Sequence, residues 1–441
     1  MSTSSISRRS LLLGALSLAA CAPGGTAAPT PSRLAAPSVT SSSPKGEITI
    51  WNRSGDLFKV FDAAIGKFRA AYPDVKVNHL SVDIGAKLAN TLITGTDVPD
   101  GSFWDDANIG SQAEHLYDLT DLIAPYREQT APYKLSVNTV EGRIYGVPWD
   151  LDPGLLWYRE DLLAEASIDP ASLTTYDDLL VASQKLKERD PKARPIHLDK
   201  NPFLGQLWLE MLANQQGTSM TDAQGRLRLD SEEYRRIFTW IQKAAKDKLV
   251  THTPYLEPAD LASIENGQQA FIPWAIWWSF APQQLLKQTK GKWRPMPLPA
   301  WTPGGARSGV MGGSSFIIPA KAKNPQLAWL LYEFLCFKEP GIAAVYGPNS
   351  VYPGGLSTSI PSYLPALDPE KPLFKDDMGL WKVATEAARN IPPAAPIPAW
   401  WAKSVDYLGN NLQLLIEGKL SPDDVIAESS KKIQRNLIDR S

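Results

Sequence analysis

Tryptophans beside carboxylates are the residues of this chain best suited to chemistry. Trp104 precedes Asp105 and Asp106, and Trp149 precedes Asp150 and Asp152. A third cluster, between Gly267 and Phe280, holds Phe271, Trp274, Trp277, Trp278 and Phe280. The chain has 15 Trp against 14 Tyr and 12 Phe, although Trp is ordinarily the scarcest aromatic. Trp offers a large rigid face and one N–H donor, and a carboxylate offers acceptors. Together they suit a solute with flat C–H faces and a rim of hydroxyls, whose buried polar groups must find partners. Core packing is the default role of any single Trp. The acid pairs have a second possible chemistry, because two carboxylates facing each other at a fixed separation hydrolyse glycosides. Asp105–Asp106 or Asp150–Asp152 would have to supply that pair.

Other chemistries lack their residues. His79, His115, His197 and His252 are scattered, with no Cys or His cluster for zinc and no Asp-rich calcium loop. Gly312-Gly313 and Gly354-Gly355 are isolated pairs without the context of a phosphate cradle, and no G-x-S-x-G elbow occurs. The expectation is no metal, no cofactor and no catalysis. With 45 basic and 47 acidic residues the net charge is −2, which argues against a nucleic-acid partner. Cys336 lies in an apolar helical pattern and reads as a buried, inert thiol.

The N-terminus carries an address. Arg8-Arg9, a short apolar stretch and Leu18-Ala19-Ala20-Cys21 form a secretory signal over 1–21. The last four residues resemble a bacterial lipobox, in which Cys21 is acylated; an ordinary signal ending in a chance Cys is the alternative. The apolar stretch is too short to span a bilayer. The arginine pair resembles a twin-arginine signal for export in the folded state. Residues 22–44 are mostly Ala, Pro, Gly, Ser and Thr and read as a disordered tether. The mature protein is expected outside the cytoplasm, on the membrane through lipid only.

The elements that must position the tryptophans and acids follow an alternating order. Glu47–Trp51 and Val75–Leu80 read as strands, with helices at Phe58–Tyr72 and Lys87–Thr94. This alternation implies α/β architecture with a largely parallel sheet. In such sheets the loops at the carboxyl ends of strands form the ligand crevice, where Trp51–Asp56 and Trp104–Asp106 fall. Further strands are expected at Leu155–Tyr158, Trp293–Leu298 and Ser314–Pro319. Helices are expected at 175–188, 206–214, 231–246, 325–338, 376–389, 399–417 and 422–437.

Several local patterns carry a resemblance: Phe68-Arg69-Ala70-Ala71-Tyr72-Pro73, Gly95-Thr96-Asp97-Val98-Pro99-Asp100, Tyr145-Gly146-Val147-Pro148 leading to Trp157-Tyr158-Arg159-Glu160-Asp161, Asn266-Gly267-Gln268-Gln269-Ala270-Phe271, and Gly312-Gly313-Ser314-Ser315-Phe316. In their order and spacing the chain resembles the extracellular solute-binding proteins of ABC importers, in the family that includes the maltose-binding protein. The resemblance implies a periplasmic-binding-protein-like fold of two α/β lobes with a hinge and an interlobe cleft. Lobe one would comprise 46–152 plus 300–345, and lobe two 153–299 plus 346–441. It also implies a monomer that captures a di- or oligosaccharide by hinge closure, delivers it to a membrane permease, and has no enzymatic activity. Polyamine and glycerol-phosphate binders share the scaffold and stand as alternatives, as does a secreted glycoside hydrolase using paired Asp residues.

Residue by residue, the resemblance marks Trp104 and Asp106 as solute contacts, and Asp56 with Asn52 in the first loop. Leu57 stands where the family often has Lys. Asp152 or Asp150 falls at the position of a ligand-binding Glu. Trp277, with Trp274 adjacent, matches a stacking Trp of the other lobe, and Trp400 or Trp401 the last stacking aromatic. Gly312 is expected to bring backbone N–H groups towards the solute.

Overall fold

A computed structural model of the chain describes residue 35 and residues 43–439 other than 223, 348–358, 375 and 377; the side chains of Asp56 and Ala86 lie outside that description. The signal 1–21 with Cys21, most of 22–44, and Gly354-Gly355 also lie outside it. Ala35, within the stretch read as a tether, forms an isolated bridge with Asp118.

Among the described residues the strands, in chain order, are β1 (Gly46–Asn52), β2 (Val75–Ser81), β3 (Gly101–Asp105), β4 (Thr139–Val140), β5 (Arg143–Ile144), β6 (Val147–Pro148), β7 (Asp150–Leu151), β8 (Gly154–Arg159), β9 (Ile196–Asp199), β10 (Val250–Thr253), β11 (Phe271–Ala275), β12 (Trp293–Pro297), β13 (Ser314–Ile317) and β14 (Ile360–Pro361). They build two five-stranded sheets, ordered β2-β1-β3-β13-β6 and β10-β9-β11-β8-β12. The small pair β7–β14 is separate from both, as is the hairpin β4–β5.

The expectation of largely parallel sheets needs correcting. β1 runs parallel to β2 and β3, but β13 runs antiparallel to both β3 and β6. The second sheet repeats the pattern, with β10, β9 and β11 parallel and β8 antiparallel to β11 and β12. The reason is the path of the chain. β8 and β13 each begin just after the chain has crossed from the other sheet, so they start at the end where the parallel strands finish.

Each sheet is covered by helices over its own hydrophobic core, giving the α/β bilobed arrangement. In the first core the helix Asp56–Ala71 buries Val60, Phe61, Ala64, Ile65 and Phe68, one stripe of a 3.6-residue repeat. Phe61 meets Phe316 of β13 edge-on, with centroids 5.1 Å apart. The helix Pro325–Phe337 closes the same core with Leu331 and Tyr332. The second core absorbs much of the tryptophan: Trp157, Trp274, Trp278, Trp293 and Trp381 are fully buried.

Three helices depart from their expected limits. Pro202–Asn214 starts earlier than 206 because Asn201 Oδ1 accepts from the N–H groups of Phe203 and Leu204, with Pro202 pre-set for the first turn. Leu380–Arg389 starts later than 376 because Asp376 accepts from the Leu380 and Trp381 N–H groups. The expected 399–417 helix runs without interruption from Trp401 to Ile416, with one wide helical turn at Val405–Gly409. The wide turn packs its backbone on Pro202, where a Cβ on Gly409 would lie 2.6 Å from the carbonyl oxygen.

Candidate functional site

The parallel strands of both sheets end on one cavity of about 430 Å³. From the first sheet, Arg53 follows β1, Asp105 ends β3, Asp106 follows it, and Trp149 follows β6. From the second, Phe203, Leu207 and Glu210 project from the helix after β9, and Trp277 follows β11. The crossing segments close the middle with Asp150, Asp152, Gly312 and Gly313. Residues 394–398 and Trp401 complete one wall.

The polar centre is built around Lys134. Its side chain is fully buried in the short helix Pro132–Val137. It donates to Asp106 Oδ2 and, at 2.7 Å, to the Ser314 carbonyl, and it lies 3.6 Å from Asp150 Oδ1. Asp106 Oδ1 accepts from Ser315 Oγ at 2.7 Å, and Asp150 Oδ1 from the Ser314 N–H at 2.6 Å. Burial alone would lower the lysine's pKa, but Asp106 and Asp150 outweigh it and raise the value. Burial pushes Asp150 and Asp152 up from the usual carboxylate range, Lys134 opposing it at both. Asp150 adds to the rise at Asp152. Glu210 is pushed up to about 7 by burial, against the hydrogen bond it accepts from Tyr234 Oη at 2.9 Å.

Gly313 shows why a glycine pair belongs here. Both glycines have positive φ, 84° at Gly312 and 121° at Gly313. A Cβ on Gly313 would lie 2.8 Å from Asp106 Oδ2 and 3.2 Å from Lys134 Nζ. A side chain there would displace the ion pair.

Of the residues marked from sequence, Asp106, Asp150, Asp152, Trp277, Gly312 and Trp401 line the cavity. Four others do not. Trp104 is 2 % exposed in the first core; it precedes the strand end, and alternation along β3 turns it away from the side of Asp105. Asn52 is fully buried, its Oδ1 accepting from the Arg53 N–H at 2.8 Å. Trp274 is buried behind Trp277, stacked on Tyr255 with centroids 5.2 Å apart and edge-on to Trp277 at 5.4 Å. It supports the half-buried Trp277 ring rather than offering one. Trp400 caps the helix whose first residue is Trp401, and packs against the second core. The side chain of Asp56, which opens the first helix, lies outside the description.

Sequence reasoning did not single out Tyr133, Phe203 or Glu210 as cavity residues, nor Lys134 behind them. The Asn201-Pro202 pair was the available signal for Phe203 and Glu210, since it starts their helix early enough to turn one face to the cavity. Phe203 is 37 % exposed and meets Trp401 edge-on at 5.8 Å, a second aromatic surface. Lys134 had no local signal. Among the described residues, no group of three or more His, Cys, Asp or Glu is arranged to hold a metal ion. No described helix is long and apolar enough to cross a membrane.

Residues 53–340 match the family described as bacterial extracellular solute-binding protein. The chain is 26 % identical over 305 residues to the arabinooligosaccharide-binding protein of Bacillus subtilis, covering 66 % of this chain and 68 % of that one. It is 24 % identical over 308 residues to a lactose-binding protein of Rhizobium radiobacter, covering 65 % of this chain and 70 % of that one. The sugar-binding protein MalE of Xanthomonas citri superposes with a TM-score of 0.74 at 20 % identity, over 90 % of this chain and 98 % of its own. The GacH receptor of Streptomyces glaucescens, solved unliganded and with acarbose, superposes at 0.72 and 19 % identity, over 90 % of this chain and 99 % of its own. At such identities the superpositions establish a shared fold, and the sequence match establishes descent. The chain belongs to the bacterial extracellular solute-binding proteins, a family of binders rather than enzymes.

Proposed function

We propose that this protein captures a di- or oligosaccharide outside the cytoplasm and presents it to an ABC permease. The observation that carries this reading is the composition of the cavity wall. Trp277, Trp401, Phe203 and Tyr133 offer aromatic surface from several elements, and Asp105, Asp106 and Asp150 offer acceptors between them. Flat C–H faces and hydroxyl rims need that alternation. The relatives named for arabinooligosaccharides and lactose support it. The carboxylates serve as hydroxyl acceptors in this reading, and no bond is broken.

We take 46–152 plus 300–345 as one lobe and 153–299 plus 346–441 as the other, closing about the crossings near Leu151 and Met311. Trp277 spans such a joint, because its Nε1 donates to the Met311 carbonyl at 3.3 Å. Acylation of Cys21 would hold the protein beside its permease and raise its local concentration there. Export by the twin-arginine route and a monomeric state belong to the same proposal.

A thermal-shift screen of the full chain across neutral saccharides, charged saccharides, glycerol phosphate and polyamines tests the assignment, since a bound solute raises Tm by linkage. A saccharide should stabilise the protein and change its tryptophan fluorescence. Stabilisation by polyamines or glycerol phosphate and by no saccharide refutes the carbohydrate reading.

A further inference from the structure

The acids around the cavity outnumber the bases that serve them. Five carboxylates line it (Asp105, Asp106, Asp150, Asp152 and Glu210) against Arg53 alone, and Lys134 behind the wall adds one more base. Arg53 pairs with Asp105, Lys134 pairs with Asp106 and approaches Asp150, and Glu210 accepts from Tyr234. Asp152 has none of this. It is 6 % exposed, and its Oδ1 is buried without a donor among the described residues. The groups acting on it are Asp150, Lys134, Asp106 and Arg53, two acids and two bases already paired with other carboxylates.

An aromatic ring lies on the same cavity wall as this acid. The Met311 peptide donates to the Asp152 carbonyl at 3.2 Å, and its own carbonyl accepts from Trp277 Nε1 at 3.3 Å. Asp152 and the half-buried Trp277 ring therefore share one backbone anchor on the cavity wall. A buried carboxylate and an indole lining one cavity suit an ammonium ion, through charge pairing with the acid and attraction to the ring quadrupole. A neutral hydroxyl would leave Asp152 in the protonated form that burial favours, whereas an ammonium would stabilise its carboxylate.

We infer that the solute is a cationic saccharide, one carrying at least one protonated amine that docks on Asp152 in the cavity that Trp277 also lines. The inference rests on the carbohydrate reading and narrows it to amino-bearing sugars. Burial, with Asp150 adjacent, holds the Asp152 carboxyl well above its usual range, and a cation in the cavity would draw it back down.

Calorimetric titration of the full chain at pH 7 decides the matter. The probes are oligosaccharides of glucosamine and galactosamine, their fully N-acetylated forms, the neutral gluco- and galacto-oligosaccharides of equal length, and spermidine. A free-amine oligosaccharide should bind about thirty-fold more tightly than its N-acetylated form, with the preference shrinking as salt rises. Asp152→Asn should abolish the preference, and Asp152→Glu should keep most of it, which a merely structural role for the side chain would not produce. Equal or tighter binding of the neutral or acetylated sugars overturns the inference and leaves the carbohydrate reading standing. So does a preference for the amine that survives Asp152→Asn. Binding of spermidine with no saccharide, or of no probe at all, overturns the inference as well, and the spermidine result also removes the carbohydrate reading.

Discussion

Replacing Lys134 by Met removes the one base buried among the central carboxylates. The ammonium has no exposure and is held by Asp106, the Ser314 carbonyl and, at 3.6 Å, Asp150. Met fills much of the same volume, so the cost is electrostatic. Breaking a buried pair by deleting one partner costs about 3–5 kcal/mol, because the remaining charge stays uncompensated. With unfolding entropy of about 2.1 cal/mol/K per residue over roughly 400 residues, that is a fall in Tm of about 4–6 °C at pH 7. The sign of the pH dependence follows from the carboxylates. Asp150, pushed up to about 6 by burial despite Lys134, binds protons in the folded state that it has lost in the unfolded one. Its penalty therefore grows as pH rises from the ordinary carboxylate range to about 6, and stays constant above. Without Lys134 the folded carboxylates hold their protons to still higher pH, so the deficit of Lys134→Met should be largest at pH 7 and narrow on acidification towards pH 4. Scanning calorimetry of both proteins between pH 4 and 8 reads this directly. Adding Asp106→Asn should restore part of the loss, as expected for coupled residues. A variant with unchanged Tm at pH 7, or with a deficit independent of pH, would refute the view of these groups as one electrostatic unit.

Three other outcomes are expected. Trp104→Phe should lower Tm, at about 1–3 kcal/mol for trimming a core side chain, while solute affinity stays within about threefold; Trp277→Ala should weaken binding about thirty-fold, as for a central aromatic contact, and titration calorimetry on the two variants separates support from contact. At His197, burial alone would lower the pKa, but Asp199 and Asp260, 3.8 and 3.3 Å away, raise it to about 9. Its stabilisation is complete below the unfolded value near 6.5 and lost as pH rises to about 9, an order of about 3 kcal/mol that denaturant titration should find missing in His197→Gln. Cys336 is 4 % exposed and burial pushes its thiol far above the ordinary range, so a thiol reagent should label it only after denaturant is added; rapid labelling of the native protein contradicts that placement.

Local order was legible because its causes are local. The strand β1 and the helix after it show their periods within a few residues, and the Thr175–Asp178 and Ser421–Asp424 capping boxes start helices where expected. The Asn201-Pro202 helix start is equally local, and it places Phe203 and Glu210 on the helix that reaches the cavity. Antiparallel β8 and β13 were not legible, because strand direction depends on which sheet the chain has just left.

By itself the sequence determined the order of strands and helices, the family motifs along them, and a supply of tryptophan and acid near strand ends. Tertiary structure decided which of these face the cavity. Trp104 and Asp105 are neighbours on β3, yet only Asp105 reaches the cavity wall. Trp274 and Trp277 lie three residues apart, and only the second presents its ring. Lys134 becomes the counter-ion of Asp106, 28 residues away, only when β3 and the Pro132–Val137 helix are brought together. Composition and periodicity report on burial averaged over a turn or a strand; a binding site is a set of distances between residues far apart in sequence, which exist only once both sheets have formed.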